Sequence, residues 1–338
     1  MHTYNEIMNQ AEQLQKTYDV LEGLTLQQEQ VDQVIFIGCG TSFYLASSAA
    51  KYYQAVTGES AAAYPASELF LHTSTLISSN RNYLVVGISR SGTTSEISIA
   101  FDKIRDNANV RIMAVTCNGD TPMAEKSDQV IALNHISEKS VVMTQSFSNM
   151  MYALQLYAAK VSHSEKDLEQ LQKIPTFVQT IIQKQEIAKL LADNLDKKRF
   201  IFLGSGIYNG LAKEATLKLK EMTQTECESY SNLEFRHGPI SIVDETTAVI
   251  LITQKETVNY DRALVKDIQK LGGFVLVIGP VNEGFEADQV IQLPNDIEDQ
   301  NRYAMYVPAL QLLAYYRATR IGVNPDQPRN LTQVVKLS

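Results

Sequence analysis

Apolar and polar positions follow two rhythms along the chain. Short apolar runs rich in β-branched residues lie near 33–38, 83–88, 111–116 and 129–133, and longer stretches of helical spacing separate them, one opening at Ser42 and another after Ser91. Strands alternating with helices predict an α/β protein in which a parallel sheet is covered by helices on both faces. The rhythm restarts at Arg199. There Phe200-Ile-Phe-Leu-Gly-Ser-Gly206 repeats Val34-Ile-Phe-Ile-Gly-Cys-Gly40 at a spacing of 166 residues, and Leu211-Ala212 follows as Leu45-Ala46 does. Later, Ala287-Asp-Gln-Val-Ile-Gln-Leu293 repeats Ser127-Asp-Gln-Val-Ile-Ala-Leu133 at a spacing of 160. Two echoes in one order predict an internal duplication, with the first strands of the two copies in separate sheets.

The remaining segments take their places around this repeat. Residues 1–30 form an N-terminal helical segment, read as one amphipathic helix over 3–25; the two subdomains occupy 31–165 and 199–323. Between them, 166–198 is rich in Lys, Glu, Gln and Leu with Pro175 as its one strong breaker, which predicts a helical connector. The end, 324–338, carries Pro325 and Pro328 and reads as an ordered tail crossing the surface.

Composition narrows the function classes. Of 338 residues, 44% are hydrophobic and 20% charged, as in a soluble globular protein. The net charge of −8 argues against nucleic acid or an anionic membrane as a partner, so any anion must be captured by local donors. Three scattered cysteines, Cys39, Cys117 and Cys227, fit neither a disulfide framework nor a metal site, and the start of the chain has no signal-like pattern. A cytoplasmic protein is expected.

Gly38-Cys-Gly40-Thr41-Ser42 invites comparison with a dinucleotide fingerprint, but the third glycine would fall at Phe43 here and at Asn209 in the second copy. The plain reading of Gly38 and Gly40 is a tight turn that needs positive φ. Ser89-Arg90-Ser91-Gly92-Thr93-Thr94 says more. Hydroxyls and backbone N–H groups converge there between a strand and a helix N-terminus, where a phosphate would fit. Simple helix capping by Ser91 and Thr93 is the competing reading.

On the segment 211–222, Leu211, Ala215, Leu219 and Met222 form a core stripe, and Glu214, Lys218 and Glu221 flank it at the boundary of burial. Spacing alone favours a solvated Glu214–Lys218 pair over catalysis. A carboxylate at such a boundary could still serve as a general base. His237, held in a loop by Gly238 and Pro239, is as readily a structural histidine as an acid/base group.

Together these segments resemble the sugar isomerase (SIS) domain, present twice, as in the isomerase half of glucosamine-6-phosphate synthase. The resemblance rests on Cys39-Gly-Thr-Ser42, Ser89-x-Ser91-Gly-x-Thr94, Glu214-x-x-x-Lys218-x-x-Glu221, Glu234-Phe-Arg-His237-Gly-Pro239 and Asp326-Gln-Pro-Arg329-Asn-Leu331, in family order over nearly the whole chain. It implies substrate contacts from Ser42, Ser89, Arg90, Ser91, Thr94, Met143, Glu214, Lys218 and Arg329, and a tail lying over the active site. It also implies proton transfer between C1 and C2 by Glu221, and ring opening by His237 from a neighbouring subunit of a homodimer. For Glu221 the resemblance reverses the preference that spacing gave.

Two departures select among relatives. No glutaminase segment is recognisable ahead of the repeat, and the position of the synthase's Schiff-base lysine aligns with Gln333, Lys336 standing three residues too late. The chain is closer to the stand-alone amino-sugar-phosphate deaminases, which carry a stretch like Val142-Met-Thr-Gln-Ser-Phe147. This implies conversion of an aldosamine 6-phosphate, with glucosamine 6-phosphate first in line, to the ketose 6-phosphate and ammonia. Neither metal nor redox cofactor is required, because the C1 carbonyl already acidifies the C2 proton. A fructosamine-6-phosphate deglycase, a tagatose-6-phosphate-type aldose–ketose isomerase and a non-catalytic sugar-phosphate sensor are the alternatives.

Overall fold

The computed structural model describes residues 1–26, 29–280 and 284–333. In chain order come α1 (His2–Met8), α2 (Gln10–Gly23), β1 (Gln33–Gly38), α3 (Thr41–Thr57), β2 (Ala61–Pro65), α4 (Ala66–Leu71), α5 (Thr73–Leu76), β3 (Tyr83–Ser89), α6 (Ser95–Ile104), β4 (Val110–Thr116), α7 (Pro122–Glu125), β5 (Gln129–Ala132) and α8 (Gln145–Val161). Then follow α9 (Glu165–Gln172), α10 (Ile174–Ile182), α11 (Gln185–Asp193), β6 (Arg199–Leu203), α12 (Tyr208–Thr223), β7 (Cys227–Tyr230), β8 (Thr247–Ile252), α13 (Val258–Lys270), β9 (Phe274–Gly279), β10 (Gln289–Gln292) and α14 (Tyr303–Arg320).

Two five-stranded sheets result, every pairing parallel, in the orders β2-β1-β3-β4-β5 and β7-β6-β8-β9-β10. The repeated sequences therefore build repeated sheets, and β1 and β6 lie in different ones, as the duplication requires. One compact unit holds the first sheet and the described residues of 9–139, 143–175 and 332–333; the other holds the second sheet and those of 1–8, 140–142 and 176–331. The central strands β3 and β8 are buried at every position, which explains their unbroken apolar sequence.

The sequence echoes have structural causes. Asp128 Oδ2 accepts a hydrogen bond from Ile112 N at 2.8 Å, and Asp288 Oδ2 accepts one from Val275 N at the same length. Each aspartate of the Asp-Gln-Val repeat thus ties the start of its sheet's fourth strand. Gly40 (φ +55°) and Gly206 (φ +60°) do take the left-handed turn. Gly38 needs its missing Cβ for another reason: a Cβ there would lie 2.4 Å from the backbone of Ser42, and at Gly204 2.3 Å from Tyr208 O. The helix is packed directly onto the turn that launches it.

Two features depart from expectation, and a third falls where the structure describes nothing. The helix expected over 3–25 is two, broken at Asn9. The edge strands β2, with three alanines, and β7, Cys-Glu-Ser-Tyr, lack β-propensity and are held by pairing with β1 and β6. Lys336 lies outside the described residues.

Candidate active site

A sheet of order 2-1-3-4-5 has one place where successive connections leave in opposite directions, between strands 1 and 3, and open α/β sheets bind ligands in the crevice beyond the carboxyl ends there. In the first unit that crevice is flanked by the β1–α3 turn carrying Ser42 and by the β3–α6 loop Ser89–Thr94. Ser42, 5% exposed, is the second residue of α3, and its Oγ makes no hydrogen bond among the described residues.

In the loop, Ser89 Oγ lies 2.8 Å from Thr94 Oγ1 and accepts from Gly92 N at 3.1 Å. Ser91 Oγ accepts from Thr93 N at 3.2 Å and from Thr93 Oγ1 at 3.1 Å. Gly92 has φ +67°, and a Cβ on it would sit 2.4 Å from Thr121 Oγ1. Thr94 stands at the N-cap of α6 in extended conformation and makes no side-chain cap bond. These hydroxyls hold the loop's shape and leave the helix uncapped, so capping is not what this dense run of serines and threonines does.

Arg90, within this loop, places Nη1 2.8 Å from Glu138 Oε2, and the Glu138 side chain is 2% exposed. Sequence reasoning missed Glu138, a lone acid in a loop whose partner is 48 residues away. Met143 is half-buried just ahead of α8.

In the second unit, Lys218 on α12 is 1% exposed and lies between two carboxylates, 3.5 Å from Glu214 and in short contact with Glu221. Glu214 is 2% exposed. The solvated pair favoured by spacing is therefore a buried one, and Glu221, its side chain 19% exposed, is the end of the charge chain that meets solvent. His237 and Arg329 are exposed, their side chains making no hydrogen bond among the described residues; Gly238 behind the histidine has φ +117°. The tail is anchored by Asp326, whose carboxylate accepts from Thr3 N (2.8 Å), Thr3 Oγ1 (2.7 Å) and His2 N (2.9 Å).

The thiols are poor nucleophiles. Burial, seconded by Glu96, pushes Cys39 up to about 12; burial raises Cys227 to about 11 and Cys117 higher still. Among the described residues no group of three or more His, Cys, Asp or Glu is arranged to hold a metal ion, and no helix is long and apolar enough to cross a membrane.

Two doubly wound α/β units, each built on a five-stranded parallel sheet of the same strand order, define a class of duplicated α/β folds. The chain belongs to the SIS domain family: the model of that domain matches residues 28–160 and again 195–316. Among solved structures it is similar to glucosamine-6-phosphate deaminase from Thermotoga maritima, with a TM-score of 0.83 and 28% identity over 100% of both chains. It shares its fold with tagatose-6-phosphate ketose/aldose isomerase from Escherichia coli (TM-score 0.85, 22% identity, 100% of this chain and 96% of that one). Among sequences it is 29% identical over 90% of its length to glutamine–fructose-6-phosphate aminotransferase [isomerizing] of Aquifex aeolicus, covering 51% of that protein. The chain spans about half the length of the curated relatives it matches.

Proposed function

We propose that the protein converts an aldosamine 6-phosphate, glucosamine 6-phosphate first, to the ketose 6-phosphate and ammonia. The observation that carries the reading is the buried Glu214–Lys218–Glu221 chain ending in a solvent-facing carboxylate, in a fold matched end to end by a glucosamine-6-phosphate deaminase. The Ser89–Thr94 loop, with Ser42, takes the phosphate through hydroxyl and N–H donors. With the sugar open, Glu221 removes the C2 proton, which the C1 carbonyl has acidified. Reprotonation at C1 leaves an imine at C2, and water hydrolyses it to the ketone with release of ammonia. Lys218, bonded to Glu221, fixes the base and balances its charge. His237, exposed and with no side-chain hydrogen bond among the described residues, suits ring opening on substrate held by a second copy of the chain, with Arg329 and its neighbours in the tail covering the sugar. Gln333, which cannot form an imine, fits a route without covalent capture of the ketose.

The test is ammonia release from a panel of hexosamine 6-phosphates and fructosamine 6-phosphates. Ammonia from glucosamine 6-phosphate, with turnover reduced at least ~10²-fold in Glu221→Gln, is the expected result. Ammonia from the fructosamine phosphates alone makes the protein a deglycase; aldose–ketose exchange without ammonia makes it an isomerase; binding without turnover makes it a sensor. For the composite site, mixing Glu221→Gln with His237→Ala subunits should restore about a quarter of wild-type activity on random exchange in a twofold dimer. No recovery among subunits shown to exchange places His237 outside a shared site.

A further inference from the structure

Glu138 makes more bonds than its pairing with Arg90. Its Oε1 accepts from Thr144 N (2.8 Å), Thr144 Oγ1 (2.9 Å) and Ser146 N (3.1 Å), while Oε2 accepts from Arg90 Nη1 (2.8 Å) and Ser146 Oγ (2.5 Å). Thr144 and Ser146 are fully buried at the amino end of α8, where Thr144 makes no side-chain cap bond of its own. One carboxylate thus caps a helix with one oxygen and holds a guanidinium with the other. The backbone carbonyl of Arg90 is fixed as well, accepting from Cys117 N at 3.1 Å.

The consequence concerns charge. Arg90 stands between Ser89 and Ser91, so a free guanidinium there would dominate the attraction of any anion in the loop. Pairing with a buried carboxylate cancels that field, and the bonds to α8 prevent the side chain from swinging back. We infer that Glu138 is a positioning residue of the anion loop: it ties Arg90 to the amino end of α8, which pins the loop and leaves phosphate recognition to aimed neutral donors. The inference rests on the proposal that Ser89–Thr94 receives the phosphate.

The test titrates inorganic phosphate calorimetrically into the full chain at low and high salt. Glu138→Gln is well suited, because its amide oxygen keeps the Oε1 bonds to α8 while its amide nitrogen faces Arg90 and breaks the ion pair, leaving the guanidinium charge uncancelled beside its longer bond to Gln333 O (3.4 Å). Phosphate affinity should rise about threefold or more at low salt, and the gain should vanish at high salt and in the Arg90→Gln/Glu138→Gln double variant. A part in folding alone would move the melting temperature without this salt-dependent gain. Unchanged or weaker binding by Glu138→Gln at low salt overturns the inference. If that variant does not fold, the double variant decides: wild-type affinity supports the positioning role, and a tenfold loss makes Arg90 a direct ligand. Ser91→Ala with Thr94→Ala separates the two proposals. Unchanged phosphate binding in that variant moves the anion out of the loop, whereas weakened binding beside an inert Glu138→Gln defeats the positioning role alone.

Discussion

The two switch-point crevices have the same backbone and opposite contents. Counted from the register partners Gln33–Tyr83 and Arg199–Thr247, Thr253 occupies in the second sheet the place of Ser89 in the first. In the first, Ser89 Oγ bonds within its own loop and α6 begins without a side-chain cap. In the second, Thr253 Oγ1 donates to Asp261 Oδ2 at 2.7 Å, Thr257 Oγ1 donates to the same oxygen at 2.5 Å, and Asn232 Nδ2 donates to Oδ1 at 2.8 Å. Ser205 Oγ accepts from Asn232 N at 3.0 Å, and Gln254 Nε2 donates to Ser205 O at 3.3 Å. The second crevice satisfies its donors with a carboxylate of its own, fully buried on α13. Duplication preserves the architecture, while in the second crevice an internal acid takes the hydroxyl donors that the proposed function assigns to a phosphate in the first. The second unit is left free to supply the Glu214–Lys218–Glu221 chain.

The sharpest way to break this contrast is to remove matching hydroxyls from both loops. Ser91→Ala with Thr94→Ala should raise KM by about 10²-fold or more, from ~1.5–3 kcal/mol per charge-assisted bond lost. Thr253→Ala with Thr257→Ala should leave KM unchanged and lower the melting temperature. Equal effects on KM would mean that both crevices bind substrate.

Removing the internal acid comes next. Asp261→Ala removes the shared acceptor of Thr253, Thr257 and Asn232, leaves the buried Thr253 hydroxyl unpaired and should cost about 1–3 kcal/mol in denaturant unfolding. Asp261→Asn keeps the shape, and the threonine hydroxyls can turn to accept, so its cost should be a fraction of that. A mild Asp261→Ala would show that the second crevice hydrates readily and is not closed by this carboxylate.

Smaller again are the turn glycines that the two halves share. Gly40→Ala and Gly206→Ala, both at positive φ with space for a Cβ, should each lose about 1 kcal/mol. Gly38→Ala and Gly204→Ala should lose more, since a Cβ there meets backbone that cannot move aside. Equal costs at all four would remove the distinction between conformation and close approach.

The smallest effect is in pH. Burial raises the Asp261 carboxyl against the opposing hydrogen bonds from Thr257, Thr253 and Asn232. The folded chain then holds this proton more tightly than the unfolded one. The contribution of Asp261 to stability is therefore greatest below the ordinary carboxylate pKa of about 4 and declines as pH rises through the raised value. The stability difference between wild type and Asp261→Asn, followed from pH 3 upward by thermal melts on the order of one unit apart, should change in that sense. A flat difference would show that the hydrogen bonds fully offset burial.

Much of this molecule is written locally. Short apolar runs and helical spacing placed β1, β3, β4 and β5, the Gly-x-Gly turns and the repeat, because each depends on a few neighbouring residues and their backbone preferences. The hydroxyl loop was visible for the same reason. One signal of the closed crevice was also present: Asp261 falls at helical spacing with the buried Leu264, Val265 and Ile268, a core position where an acid needs internal partners.

What the sequence could not decide was which distant groups meet. The alanines of β2 become a strand by pairing with β1, and Glu138 acquires its role from an arginine 48 residues away. Spacing on one helix placed Glu214 and Lys218 at a boundary, yet packing buried both. A helix or turn is set by short-range sterics, whereas burial, charge pairing and the filling of a crevice are set by what the rest of the chain brings alongside. Those contacts exist only once the sheets have formed.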